Sequence, residues 1–234
     1  MRRVRSARGL LLLLAVTPLG IVSAQSDEQE RQLAPFSKLR VQNGVGVYLT
    51  QSDRETVTIE VAGFDLEDVV TEVVGDELRI SRSSRGGGFG FVSHVRAYLD
   101  FVQLSEIEVS GGSDVSGRNT IESGELRVVA SGGSDLRLAL NVQQLDFDLA
   151  SGSDLDAEGS AASLRIEASG GSDVSAGQLQ AQRASVRLSG GSDASLRVRD
   201  RIEIEAHGGS DVVVYGDPGE RTVDTDRSSD VTWR

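Results

Sequence analysis

The sequence predicts an all-β fold, a right-handed parallel β-helix built from stacked coils of about 18–21 residues. The peptide Gly-Gly-Ser-Asp, or a close variant, recurs seven times at intervals of 21, 19, 19, 20, 18 and 19 residues. Apolar and polar residues also alternate on both sides of each copy, and no segment keeps a 3.6-residue apolar period over ten residues. The Asp residues that close the copies are Asp114, Asp135, Asp154, Asp173, Asp193, Asp211 and Asp230.

The alternation assigns strands to the repeats. Counted from each Asp, the positions −9, −7, −5, +1 and +3 are mostly apolar, which indicates two short strands with one buried face on either side of a glycine turn. Every change in repeat length falls between position +3 and position −9 of the next repeat. Parallel coils stacked about 4.8 Å apart explain this, because one arc can vary while the turn stays in register. Residues 105–234 are therefore expected to form seven coils, a rod about 30 Å long.

The preceding stretch, residues 36–104, lacks the Gly-Gly-Ser-Asp turn but keeps strand-like alternation, as in the run from Val57 to Val61. Terminal units of repeat proteins need a different outer face from the internal ones. We therefore expect an irregular N-terminal β layer that covers the open end of the stack.

The first 24 residues have the pattern of a secretory signal peptide. Four Arg precede an apolar stretch from Leu10 to Val16, and Val22-Ser23-Ala24 predicts cleavage before Gln25. Residues 25–35 are polar and are expected to be a tether. The predicted location is the periplasm, the medium or the cell surface of a bacterium, with no membrane span after removal of the signal.

Charge and composition exclude several partners and chemistries. The whole chain has a formal net charge of −12, and loss of the leader with its four Arg leaves −16, so nucleic acid is a poor partner. The chain has no Cys and two His, which excludes thiolate chemistry and leaves too few ligands for a His-rich zinc site. We therefore assign no catalytic residue and no metal ligand.

Two features carry a resemblance to a known family. One is the opening at Phe36-Ser37 together with the run from Val41 to Leu49; the other is the repeated Ser-Gly-Gly-Ser-Asp. The chain resembles the adhesin head-domain family, the head GIN domain proteins, over residues 36–215. The resemblance implies a right-handed parallel β-helix in an exported bacterial protein and transfers no catalytic residues.

The seven Asp residues lie at an outward phase and are expected to form a column along one edge of the rod. The first hypothesis is that Asp and Ser bond turn amides while Gly supplies positive φ. The second is a divalent-cation site, with calcium as the cofactor, since hard cations prefer several carboxylate oxygens. We favour turn capping, because the period is twice that of nonapeptide calcium-binding repeats.

Other candidate residues have simpler interpretations. His207 replaces a turn Ser, and His94 has no acid or nucleophile beside it in the sequence. The glycine-rich stretch from Arg85 to Phe91 lacks the Gly-Lys-Ser/Thr ending of a phosphate loop and is interpreted as a hairpin tip. Trp233, at the inward +3 position of the last coil, is expected to act as a lid.

Two functional hypotheses remain open. The first is a non-catalytic, adhesin-like module that presents its stacked faces to a cell-surface polymer or protein. The second is a polysaccharide lyase or hydrolase, in which Asp146, Asp148 and Asp156 pair across coils. Against the enzyme, extended-sugar sites usually contain aromatic platforms, and the repeats from Ser110 to Ala206 hold one aromatic residue, the inward Phe147.

Overall fold

The computed structural model describes residues 27–83 and 93–234. In these ranges the chain forms 17 strands and one 3₁₀ turn, Leu66–Asp68, and it contains no α-helix. All the strands join one continuous sheet that winds into a β-helix, which confirms the predicted fold class. None of the helical structure in these ranges is long and apolar enough to cross a membrane.

Long strands make up the central coils. Parallel pairing aligns Asp135 with Asp154, Asp154 with Asp173 and Asp173 with Asp193. The strands are β10 (Ile121–Ser131), β11 (Asp135–Ala150), β12 (Asp154–Ser169), β13 (Asp173–Ser189) and β14 (Asp193–His207). Strands β11 to β14 run from a motif Asp to the residue before the next glycine turn, and β10 begins later in its coil, at Ile121.

The core lies inside these coils, at the inward positions that the alternation predicts. Pleating points successive side chains to opposite faces, so every second residue enters the core. In the coil centred on Asp173, all five predicted positions are at most 4% exposed: Leu164, Ile166, Ala168, Val174 and Ala176.

The variable arc of the repeat contains the irregularities in pairing. The register shifts between Asp156 and Glu158 in the β12–β13 pair, and between Ala176 and Gln180 in the β13–β14 pair. These bulges absorb the differences in repeat length, because an extra residue can leave the ladder there without disturbing the glycine turn.

The irregular N-terminal layer is present, and its strands also extend the parallel stack. The first coil of the chain lies between two later ones: β2 pairs with both β6 and β8, and β3 pairs with both β7 and β9. These strands are β2 (Lys38–Gln42), β3 (Gly46–Gln51), β6 (Glu77–Arg82), β7 (His94–Phe101), β8 (Glu106–Ser110) and β9 (Asp114–Gly117).

Antiparallel strands cover this end of the rod. Strand β4 (Thr56–Ala62) pairs with β7, β5 (Val69–Val74) pairs with β6, and β1 (Asp27–Gln32) pairs with β4. The prediction of a tether over residues 25–35 is therefore wrong for the segment that forms β1. Its side chains are polar, but its backbone completes the ladder of β4, and the Arg31 guanidinium donates to the carbonyls of Leu66 and Val69.

The other end of the rod is formed by β15 (Val212–Tyr215), β16 (Glu220–Thr225) and β17 (Val231–Trp233). Strand β16 pairs with β14, and β17 pairs with β15. Trp233 is partly buried against the core, as expected for a lid, and the Arg221 guanidinium lies 4.3 Å from the centre of its indole ring.

Candidate binding face

Each glycine turn is held by a buried serine. In the turn before Asp173, Gly170 and Gly171 adopt φ of 70° and 73°, which brings Ser172 inside the rod with 0% exposure. The Ser172 hydroxyl donates to the Ser169 carbonyl at 3.1 Å and accepts the backbone N–H of Ser153 at 3.2 Å. One hydroxyl thus satisfies a carbonyl of its own turn and an amide of the neighbouring coil.

The same serine position recurs in every motif turn and forms a ladder along the rod. Ser113, at its N-terminal end, accepts the backbone N–H groups of Gly44 and Val45. The backbone N–H of each serine from Ser134 to Ser210 donates to the hydroxyl of the next, over 3.0–3.3 Å. The ladder consists of Ser113, Ser134, Ser153, Ser172, Ser192, Ser210 and Ser229, all buried. In the sequence, these residues are the Ser that stands before every motif Asp.

The motif Asp residues form an exposed column beside this ladder. Three of them accept a backbone N–H from the motif Asp one coil further along: Asp173 from Asp193 at 3.3 Å, Asp193 from Asp211 at 2.9 Å, and Asp211 from Asp230 at 3.1 Å. Over residues 27–83 and 93–234, no three acidic or His side chains are arranged to hold a metal ion. Asp114, at the N-terminal end of the column, has its pKa raised by burial and by the charge of Asp135.

We use the name trough for the surface formed by the outward side chains that come just after each motif Asp in the sequence. It extends from Tyr48 at one end of the rod to Tyr215 at the other. Two adjoining depressions of about 640 Å³ and 480 Å³ lie in it and share Arg137, Asp156 and Ser175. Direct pairing stacks Tyr48, Ser116, Arg137, Asp156, Ser175 and Ser195 in successive coils.

An aromatic and cationic cluster closes the N-terminal end of the trough. The rings of Tyr48 and Tyr98 stack with their centres 5.2 Å apart and their planes at 15°. The Arg118 guanidinium lies 5.1 Å from the Tyr48 ring and 4.7 Å from the Tyr98 ring. The Tyr98 hydroxyl donates to Glu60 at 2.9 Å, and burial together with Glu60 raises the pKa of Tyr98.

A second cluster of the same type closes the opposite end. The Arg197 guanidinium lies 5.4 Å from the Tyr215 ring, and its Nε donates to the Gly177 carbonyl at 3.3 Å. Tyr215 also reaches across to Gly177, where a Cβ atom would stand 3.0 Å from its Cε2. The bulge after Ala176 and the missing side chain at Gly177 therefore make room for the tyrosine ring.

The three carboxylates that were considered for acid–base catalysis are not gathered at one site. Asp146 and Asp148 lie on the same face of β11, and both are beside Arg127, which binds Asp148 at 2.7 Å and pairs with Asp146 in the ladder. Asp156 lies on the wall that follows the turn and faces Arg137 at 3.4 Å.

The histidines also occupy separate places. His207 is exposed and pairs with Ser189 in the ladder. His94 has an acidic neighbour that is distant in the sequence: its Nε2 lies 3.6 Å from Glu60 on β4. The predicted signal peptide and the stretch from Arg85 to Phe91 lie outside the described residues.

Sequence reasoning missed the tyrosines of the trough. Tyr215 stands at position +4 from Asp211, an outward phase that the sequence shows. Tyr48 and Tyr98 belong to the segment without the motif, and only the pairing of Gly46 with Asp114 brings them to the same face.

Comparison with known families agrees with this architecture. Residues 35–218 match the model of the family described as “Putative auto-transporter adhesin, head GIN domain”. The chain belongs to this family. Comparison with curated proteins finds no match.

Solved structures share the fold of this head GIN domain protein. A “putative adhesin” from Bacteroides fragilis superposes with a TM-score of 0.82 at 18% identity, over 91% of this chain and 98% of the other. A “putative adhesin” from Parabacteroides distasonis gives 0.72 at 16%, over 90% and 98%. A “putative lipid binding protein” from the same species gives 0.67 at 15%, over 88% and 96%. At these identities the similarity establishes the fold.

Proposed function

We propose that this head GIN domain protein is an exported, non-catalytic binding module that presents one face of its β-helix to a polymer or protein at the cell surface. The observation that carries the proposal is the trough, a continuous surface crossing successive coils and bounded by exposed polar and aromatic groups. An extended face of this kind suits an extended partner, because each coil adds a similar set of contacts along the axis.

Family membership supports the same conclusion. Two structural neighbours are described as “putative adhesin”, a description that fits a protein acting outside the cytoplasm. The leader predicted over residues 1–24 is consistent with export, and the acidic charge of the chain disfavours nucleic acid as the partner.

The experiment is a glycan array and a whole-cell binding assay run beside a polysaccharide-degradation screen on the same purified protein. Saturable binding without release of shorter products supports the module. Release of products would replace it with the carbohydrate-active enzyme. Because one structural neighbour is described as lipid binding, anionic and neutral vesicles form a further arm, and retention on vesicles alone would contradict a polymer or protein partner.

A further inference from the structure

We propose that the trough binds an acidic glycan whose carboxylates are separated by neutral sugars, laid along the axis of the β-helix with carboxylates at Arg118 and Arg197. This inference rests on the proposed function and specifies its ligand. Three features of the trough carry it: the two cationic clusters, the floor between them and the surrounding charge.

Arg118 and Arg197 are arginines without an acidic partner. Neither makes an ion pair within residues 27–83 and 93–234, although the chain carries 36 acidic residues against 24 basic ones. Both guanidiniums are instead oriented by tyrosine rings, at 4.7–5.1 Å for Arg118 and 5.4 Å for Arg197. Stacking on a ring leaves edge N–H groups of a guanidinium available for bidentate bonds to a carboxylate. In Arg197 the Nε–H is taken by the Gly177 carbonyl, so the two terminal Nη groups are the donors that remain.

Small side chains and one ion pair form the floor between the two clusters. Ser116, Ser175 and Ser195 lie in one outward column, and the Arg137–Asp156 ion pair, at 3.4 Å, stands in the same column between Ser116 and Ser175.

Tyr48 and Tyr215 stand six coils apart, about 29 Å at about 4.8 Å per coil. A ligand that contacts both ends must therefore be a chain of at least this length, and it must be narrow enough to lie on a shallow floor. Arg118 and Arg197 lie on the coils of Asp114 and Asp193, which are four coils and about 19 Å apart, so the two bound carboxylates have this spacing.

The charges around the trough determine which kind of glycan can bind there. Asp156 and Glu158 lie in the trough, and the Asp column borders it from Asp114 to Asp173. A polymer with a charge on every unit would meet these carboxylates and be repelled. Neutral sugars can lie beside these carboxylates, because sugar hydroxyls donate hydrogen bonds to carboxylates. Sugar ring faces also stack on tyrosine.

The test uses hyaluronan oligosaccharides long enough to span about 29 Å, since their carboxylates alternate with neutral sugars. Isothermal titration calorimetry of the full mature chain compares them with their carboxyl-reduced form and with polygalacturonate fragments of equal length. We expect the carboxyl-reduced form to bind at least about tenfold more weakly, which corresponds to the loss of charge-assisted hydrogen bonds. Polygalacturonate should also bind more weakly, and the affinity for hyaluronan should fall as salt rises.

Variants locate the site. Arg118→Gln and Arg197→Gln should each weaken hyaluronan binding about tenfold. Tyr215→Ala should weaken it as well, whereas Tyr215→Phe should retain most of it. Gly177→Val fills the trough and displaces Tyr215 without changing any charge, so it should abolish binding. The matched control is Arg183→Gln, which removes an exposed arginine that precedes the glycine turn, pairs with Ser163 and Arg201 in the ladder and contacts no tyrosine ring of the trough.

Each result has a defined meaning once circular dichroism shows that the variants melt like the parent. Equal binding of the carboxyl-reduced glycan overturns the acidic class, and an equal loss from Arg183→Gln overturns the site. If hyaluronan fails to bind while the array or cell assay finds another partner, this inference is wrong and the proposed function stands. Turnover of any glycan defeats the proposed function itself.

Discussion

Single residues at the turns account for much of the order in this molecule. The hydroxyl of each ladder serine bonds inside the rod, where water cannot replace a lost partner. Ser172 is the clearest case, because one hydroxyl serves both the Ser169 carbonyl and the Ser153 amide. A polar residue is tolerated in the interior only when such bonds are made.

Ser172→Ala should therefore lower the free energy of unfolding by about 1–3 kcal/mol, since it leaves the buried Ser153 amide without a partner and leaves the Ser169 carbonyl with the Ser151 N–H alone. Chemical denaturation of the parent and the variant measures this. Ser175→Ala, at an exposed position of β13, is the control and should change stability by less than about 0.5 kcal/mol. Equal effects would show that the ladder is not a stabilising element.

Two carboxylates should respond to pH with opposite signs. The Gly208 N–H, at 2.7 Å, and the Ser228 hydroxyl hold the pKa of Asp226 well below its usual range, whereas burial and Asp135 raise the pKa of Asp114. A lowered pKa means that Asp226 contributes stability above the unfolded pKa of about 4 and that this contribution is lost as pH falls through the folded value. The raised pKa of Asp114 means that its ionisation costs stability at neutral pH.

Asp226→Asn should accordingly destabilise the protein at pH 7, and Asp114→Asn should stabilise it. The difference at Asp114 should disappear as the pH falls through its raised pKa towards about 4, whereas the difference at Asp226 should begin to shrink only below about 4. Urea titrations between about pH 3 and pH 7 provide the measurement. The same sign for both variants at pH 7 would contradict the assigned environments.

At the scale of the element, neighbouring coils approach each other closely at a position that only glycine allows. Gly159 has φ of 113°, and a Cβ atom there would lie 2.0 Å from the Leu140 carbonyl oxygen of the neighbouring coil. Close approach of two backbones and a positive φ therefore coincide at one residue. This position lies in the variable arc, where the repeats differ in length.

Gly159→Ala should cost about 3 kcal/mol or more, because the clash is with backbone and cannot be relieved by a side-chain rotation. Gly124→Ala is the matched control, since that glycine lies in β10 and an added methyl group would meet nothing within 4 Å. It should leave the melting temperature unchanged or raise it slightly. A mild effect at Gly159 would mean that the coils separate there more easily than the pairing indicates.

At the scale of the whole molecule, stacking places like charges in a column. Carboxylates about 4.8 Å apart repel by about 1 kcal/mol per neighbouring pair in water. In the second half of the column, backbone N–H groups offset this repulsion, as in the bond from Asp193 to Asp173. We therefore interpret the column as turn capping and as a border of the trough.

Changing Asp154, Asp173 and Asp193 together to Asn should leave the melting temperature unchanged or raised, because Asn still accepts an amide and the repulsion is relieved. The parent protein should melt at the same temperature with and without a chelator. A calcium-dependent rise in the parent that the triple variant loses would instead identify the column as a calcium site.

Export of the whole chain is a separate prediction. Protein recovered from a bacterial periplasm or culture medium should begin at Gln25, as N-terminal sequencing will show. A folded cytosolic protein that retains Met1 would contradict export.

The sequence by itself determined the β-helix, its seven motif turns and the inward phase of residues such as Ile166, because a period of two specifies which side chains enter a core. It also indicated the Asp column. It did not determine the order of the N-terminal strands, where no turn motif marks the register. Only the tertiary structure decided that β2 and β3 lie between later strands, since alternation assigns a face to a residue but not a neighbour to a strand. The trough depends on this strand order, because the pairing of strands distant in the sequence brings Tyr48 onto the same face as Tyr215.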